Sequence, residues 1–241
     1  MSHRLTRSFG RKQVDPEQRE RLIRSVFERV APRYDLMNDL MSMGIHRWWK
    51  WRFCREVDRQ DGRRFVDLAA GTGDIAERLL RSGRELVLVD PSPAMLEVAR
   101  QRLGDTCRYE EGTAEQIPLP DASVDVLAIS FGIRNATDIE AALSDIARVL
   151  KPGGRFYCLE FSEPAFWLKP FYDAWSRWVI PRLGAAVAGH PDAYEYLVES
   201  IREFPAQREM AALIEQAGLA EVDWSNLSFG IAAIHRAVKP V

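Results

Sequence analysis

Cysteine is scarce in this chain. Cys54, Cys107 and Cys158 are spread through 241 residues, with no CxxC pair and no neighbouring histidine. That scatter argues against a disulfide framework and offers no ligand spacing for a metal, so reduced, buried thiols in a cytoplasmic protein are expected and no metal site. Long apolar runs are missing too. Nothing approaches the ~18 residues of a membrane span, and the first residues lack the apolar core of a secretory signal. Net charge is small, a formal −2 at pH 7, so bulk charge gives no reason to expect nucleic acid. The early bases Arg4, Arg7, Arg11, Lys12, Arg19, Arg21 and Arg24 read as a solvated tail rather than a polyanion site. Repeats, low-complexity tracts and flexible linkers are also absent. A single domain over 1–241 is expected, a length sufficient for one substantial core.

What is present begins with 46% hydrophobic residues, ordinary for a globular protein. Asp15-Pro16 is a helix start, and Leu22, Ile23, Val26, Phe27 and Val30 follow helical spacing until Pro32. Residues 33–53 then mix methionines, aromatics and bases: Trp48, Trp49, Trp51 and Phe53 alternate with Arg47, Lys50 and Arg52. Two readings stand together. One is a helix packed on the domain with its bases snorkelling past the rings, and the other is a lid or interfacial surface for an apolar ligand.

From residue 64 the pattern becomes regular. Strands are expected over 65–69, 86–89, 107–111, 124–130 and 155–161, with helices over 74–81, 93–103 and 138–150 between them. Such alternation predicts a mostly parallel, doubly wound α/β sheet with helices on both faces. Lys151-Pro152-Gly153-Gly154 reads as a helix stop and turn. Aromatic-rich helices are expected over 166–183 and 190–202, then a helix over 207–217 and two last strands over 222–227 and 231–238.

The central motif is FVDLAAGTGDIA at 65–76, a strand, a glycine loop and a helix start. Small residues let the backbone turn and let a ligand lie against it, while the helix N-terminus aims its N–H groups at the same place. Gly71-Thr72-Gly73-Asp74-Ile75-Ala76 also satisfies the GxGxxA form of the dinucleotide fingerprint, so NAD has to be weighed. Asp90, at the end of the second strand, suits the ribose of any adenosine ligand. Asp67 and Asp74 discriminate, because a pyrophosphate would meet two carboxylates there. S-adenosyl-L-methionine would bring an ammonium and a sulfonium instead. Thr113-Ala114-Glu115, after the third strand, is placed for an adenine edge, and Ser130 ends the fourth strand beside the crevice.

GTGD, VLVDPS and the LKPGG turn resemble class I S-adenosylmethionine-dependent methyltransferases. Four segments resemble the quinone-biosynthesis C-methyltransferases of the UbiE/MenG type more specifically. They are VFERVAPRYDLMNDLMSMGIHRWWK (26–50), SFGIRNATD (130–138), RVLKPGGRFYCLEFSEP (148–164) and YEYLVESIREFPAQ (194–207). The resemblance implies a Rossmann-like sheet with an antiparallel last strand. An N-terminal helical lid over 15–60 and inserted helices over 165–203 would cover the acceptor site. It carries the cofactor contacts to Thr72, Asp90, Thr113, Ala114 and Ser130, alongside Asp67, Gly71 and Gly73 from the loop itself. The implied substrate is a polyprenyl quinol methylated at a ring carbon, with S-adenosyl-L-homocysteine as product. Leu119, Val124 and Phe229 depart from the usual family residues at packing positions.

Ring-carbon methylation needs a phenolate, hence a base and a donor for the phenolate oxygen. Arg134 with Asn135 is the expected pair, with Arg134 acting electrostatically because it stays protonated. A clamp from Arg134 to Asp138 is the structural alternative. His46 is the second candidate base on its titration range, and Tyr34 and Tyr196 could lend hydroxyls. A greasy acceptor and no membrane span imply a cytoplasmic enzyme that visits the inner membrane surface through 46–53 and 166–178. Methylation of another aromatic small molecule, or a non-catalytic scaffold, are the rival functions. Oligomeric state, a homo-oligomer included, stays open.

Overall fold

The computed structural model describes residues 8–9, 12–13, 15, 18, 21–22, 39, 42–81, 83–178 and 198–241. Most of the helix expected over 15–32, together with Tyr34, Tyr196 and 190–197, lies outside them; the described Gln18, Arg21 and Leu22 are helical. A short antiparallel pair, β1 (Ser8–Phe9) with β2 (Lys12–Gln13), occupies the segment read as a tail.

The main sheet contains β3 (Arg64–Leu68), β4 (Glu85–Asp90), β5 (Arg108–Glu111), β6 (Val124–Ser130), β7 (Leu150–Phe161), β8 (Ala220–Leu227) and β9 (Ala232–Val238). Their spatial order is β5-β4-β3-β6-β7-β9-β8. The first five are parallel, and β9 runs antiparallel to both of its neighbours. The lysine–proline–glycine turn is absorbed into β7 as an irregularity. The register shifts between Val124 and Val126, Gly153 adopts φ +76°, and the end of the chain bonds back through Gly153 N to Lys239 O at 2.8 Å.

Helices α1 (Ile45–Val57), α2 (Asp74–Leu79), α3 (Pro93–Leu103), α4 (Ile139–Val149), α5 (Lys169–Trp178) and α6 (Gln207–Gln216) accompany the sheet. Strand alternation divides the core in two. Val66, Leu68, Val87, Val89, Leu127 and Ile129 pack with Leu143 and Ile146 of α4 and Met210 and Ile214 of α6. Phe65, Leu86, Leu88, Val126 and Ala128 pack on the other face with Trp49, Phe53, Ile75 and Ala99 from α1, α2 and α3. Asp67 is two residues from Phe65 in β3 and shares its face, so it points beneath α1 and α2.

Helix α1 resolves the aromatic–basic segment. Its buried stripe is His46, Trp49, Lys50, Phe53, Cys54 and Val57, at helical spacing. Trp48 and Trp51 fall outside that stripe and are exposed, with the Arg55 guanidinium 4.9 Å over the Trp51 ring. The packed-helix reading therefore describes one face, and the other face leaves Trp48 and Trp51 exposed.

The chain runs β3-β4-β5 in one direction, then crosses back to β6 on the other side of β3. That reversal opens a crevice beyond the C-terminal ends of β3, β4 and β6, the place where doubly wound sheets bind ligands.

Candidate functional site

A cavity of about 1100 Å³ fills this crevice. Its volume exceeds that of an ordinary single-ligand pocket. Part of its wall is the loop after β3. Ala69 and Gly71 both take left-handed φ, 53° and 55°, and a Cβ on Gly71 would meet open space. Asp90 organises this loop: its Oδ2 accepts from Gly71 N and its Oδ1 from Ser92 N, both at 2.9 Å. Burial pushes the Asp90 carboxyl up to about 6 despite these bonds.

Asp67 is buried below the loop and accepts from Ala76 N at 3.0 Å, tying β3 to the first turn of α2. Burial pushes its carboxyl up to about 8. Asp67, Gly71, Thr72 and Asp90 all line the cavity, whereas Gly73 and Asp74 do not. Gly73 instead faces α3, where a Cβ would lie 3.0 Å from Leu103 Cδ1 and 3.2 Å from Ala99 Cβ. Asp74 accepts from Lys50 Nζ at 2.9 Å and Arg78 Nε at 3.2 Å. Of the two discriminating carboxylates read from the sequence, only Asp67 faces the crevice.

Thr113 and Ala114 line the side wall with Glu115, whose Oε1 accepts from Thr137 N at 2.6 Å and Asp138 N at 3.2 Å. That bond joins the loop after β5 to the start of α4. Ser130 lines the cavity with a buried Oγ that has no hydrogen-bond partner among the described residues, so it is available to whatever fills the cavity. The left-handed loop, the buried carboxyls and this hydroxyl suit an adenosyl ligand carrying an ammonium.

Another part of the wall is aromatic. Trp49, Phe131 and Phe161 form it, with ring centroids 6.1 Å apart for Trp49–Phe131 and Trp49–Phe161 and 4.8 Å for Phe131–Phe161. Phe171, Tyr172 and Trp175 of α5 complete that wall. Arg134 and Asn135, on the short 3-10 turn after β6, also line the cavity.

Arg134 is buried, and its partner is Glu160 rather than the Asp138 considered from the sequence. Nη1 lies 3.2 Å from Oε1 and 3.3 Å from Oε2, and also donates to Phe131 O. Asp138 instead caps α4 through Glu140 N and Ala141 N. Burial raises the Glu160 carboxyl above its ordinary range, with Arg134 opposing that rise. Neither Glu160 nor Phe131 was picked out from sequence. The available signal is an acid inside LEFSEP, within an otherwise apolar strand end.

His46 also lines the cavity, but its titration argument fails. Burial, followed by the neighbouring Lys50 charge, depresses the imidazole to about 4, and Nδ1 lies 2.8 Å from Ser42 Oγ. At neutral pH it is an uncharged, weakly basic ring.

The described residues contain no His/Cys/Asp/Glu cluster fit for a metal and no helix long and apolar enough to cross a membrane. The family model described as "ubiE/COQ5 methyltransferase family" matches residues 13–239. The ubiquinone/menaquinone biosynthesis C-methyltransferase UbiE of Rubrivivax gelatinosus is 59% identical, covering 96% of this chain and 92% of that protein. Its namesake in Brucella anthropi is 47% identical over 98% of this chain and 94% of its own length. Among solved structures, a Thermotoga maritima SAM-dependent methyltransferase, titled a possible histamine N-methyltransferase, superposes with a TM-score of 0.65 at 25% identity. That match covers 89% of this chain and 98% of the other. The dinucleotide reading of the glycine loop therefore falls, and the chain belongs to the ubiE/COQ5 methyltransferase family.

Proposed function

We propose that this protein methylates a ring carbon of a polyprenyl quinol in menaquinone and/or ubiquinone biosynthesis, using S-adenosyl-L-methionine and releasing S-adenosyl-L-homocysteine. One observation carries the reading: one cavity is lined by a glycine loop with the carboxyls of Asp67 and Asp90, by an aromatic cluster and by a buried guanidinium. Bound S-adenosyl-L-methionine supplies an electrophilic methyl group. Asp67, Gly71, Thr72, Asp90, Thr113, Ala114 and Ser130 would hold it. Trp49, Phe131 and Phe161 would stack the acceptor ring, and Arg134 would hold the phenolate oxygen, raising electron density at the ortho carbon. The aromatic wall excludes water, and positioning of this kind supplies roughly 7–11 kcal/mol of barrier lowering. With S-adenosyl-L-methionine bound, these residues would hold the ring carbon facing its methyl group, and the proton displaced from that carbon would pass to water at the cavity mouth.

The acceptor's tail needs an exit. Phe166, Trp167, Phe171 and Phe229 are exposed, Trp167 and Phe229 meeting edge-on at 5.1 Å, and Phe171 also lines the cavity. This apolar rim supports peripheral contact with the bilayer surface that holds the quinol. Purified protein would be given the cofactor and reduced demethylnaphthoquinol or methoxybenzoquinol, each in vesicles, with products read by mass spectrometry. Gain of one methyl group on a ring carbon is expected, faster from vesicles than from detergent. Methylation of simple phenols alone would favour another aromatic acceptor, and binding without turnover a scaffold.

Cofactor binding should also move a proton. The Asp67 carboxyl, raised to about 8, holds its proton at neutral pH in the free protein. An ammonium bound beside it favours the carboxylate, so binding at pH 7 is expected to release about one proton. Affinity should then rise with pH from 6 towards 8. Calorimetry with S-adenosyl-L-homocysteine in phosphate and in Tris should give different heats, a difference that Asp67→Asn abolishes. Equal heats in the wild type would sink the idea. For stability the sign is opposite: a raised folded-state value contributes most below the ordinary carboxylate range, and that contribution is lost as pH rises through 8.

A further inference from the structure

We infer that Lys50 is a cofactor-binding residue that holds the carboxylate at the amino-acid end of S-adenosyl-L-methionine. The inference rests on the methyltransferase reading and extends it to a residue that the glycine-loop motif does not reach.

Lys50 lies on the buried stripe of α1, one position after Trp49, and is 7% exposed. An ammonium in that position needs hydrogen-bonding partners. It has three donors, and one is used, on Asp74 Oδ2 at 2.9 Å. Asp74 stands behind the cavity wall while Lys50 forms part of that wall. The charge is felt on both sides of it. Lys50 lowers the His46 imidazole and favours the carboxylates of Asp67 and Asp74, so its ammonium lies within electrostatic reach of all three.

The choice of ligand follows from charge. Among the described residues lining the cavity, the cationic side chains are Lys50 and Arg134. Arg134 is committed to Glu160 and Phe131 O and lies 5.6 Å over the Phe161 ring. Lys50 lies within electrostatic reach of Asp67 on the same cavity wall. A zwitterionic amino acid fits between them, its ammonium toward Asp67 and its carboxylate toward Lys50. A neutral quinol has no group that requires a fixed cation there. The opposing reading makes Lys50 only the structural partner of Asp74.

Two ligands separate these readings. S-adenosyl-L-homocysteine carries the amino-acid end, while 5′-methylthioadenosine keeps the adenosine and thioether and lacks it. Calorimetry on Lys50→Met should show S-adenosyl-L-homocysteine binding weakened about tenfold to a hundredfold, the effect of a lost charge-assisted hydrogen bond. Binding of 5′-methylthioadenosine should stay within about twofold of wild type. Lys50→Arg should recover part of the first loss. If Lys50→Met folds poorly because Asp74 is stranded, the pair Lys50→Met with Asp74→Leu removes both charges and should show the same selective loss. Equal weakening of both ligands, or of neither, would overturn the role. If wild type bound neither ligand, the cofactor reading itself would have failed, not the assignment of Lys50.

Discussion

Arg134→Ala is expected to lower methyl transfer about 10²–10³-fold, the usual cost of removing a donor aimed at developing negative charge. Binding of S-adenosyl-L-homocysteine should stay within about twofold, because Arg134 bonds Glu160 and Phe131 O and neither Asp67 nor Asp90. The variant has a second consequence that must be kept apart from the first. Glu160 is 1% exposed, and its guanidinium partner is what offsets its burial. Stranding one member of a buried pair costs about 3–5 kcal/mol, so a loss of turnover in Arg134→Ala alone could reflect a damaged fold. The double variant Arg134→Met with Glu160→Gln removes both charges and keeps the volume. Its urea midpoint should recover most of the way to wild type while turnover stays low. Recovery of both stability and turnover would remove Arg134 from the chemistry and leave it a structural clamp.

The pairing of Arg134 with Glu160 also shows where sequence reasoning stops. The alternation of apolar strands and helices from 64 to 161 predicts the parallel sheet, and helix α3 matches its expected bounds of 93–103. Asp90 and Ser130 are legible because residues at the C-terminal ends of parallel strands face the crevice whatever the register. Arg134 and Glu160 are 26 residues apart, and they meet because β6 pairs with β7 in the register Ser130↔Leu159. A one-residue slip would turn Glu160 to the other face, and no local pattern announces that register. Burial is equally silent. His46 looks like a base with a useful titration range until the structure encloses it beside Lys50 and depresses it to about 4. Gly73 looks like a ligand-facing glycine, yet its hydrogen face is used for packing against Leu103 and Ala99. Spacing within one element can be read from sequence; contacts across elements need the fold.

Trp49→Ala is expected to produce the largest loss of stability among the tryptophans of α1, about 3–5 kcal/mol for a buried tryptophan truncated to alanine. The ring is 2% exposed and touches Phe131 and Phe161, and its Nε1 donates to Ser228 Oγ at 2.9 Å. It therefore joins α1 both to the strand ends of β6 and β7 and to the turn before β9. Trp49→Phe keeps most of the volume and loses the N–H, so a cost nearer about 1 kcal/mol is expected. Ser228 is only half-buried and water can replace the donor. The same helix supplies its own control. Trp48 and Trp51 are 49% and 44% exposed, and their replacement by alanine should stay within about 0.5 kcal/mol. Urea denaturation of the three alanine variants tests the ranking directly. Trp49→Ala should also raise the KM for the acceptor more than that for the cofactor, since its ring belongs to the aromatic part of the cavity wall. A loss at Trp49 no greater than at Trp48 would mean that α1 is not held by that ring. The acceptor wall would then have to be built from Phe131 and Phe161 without it.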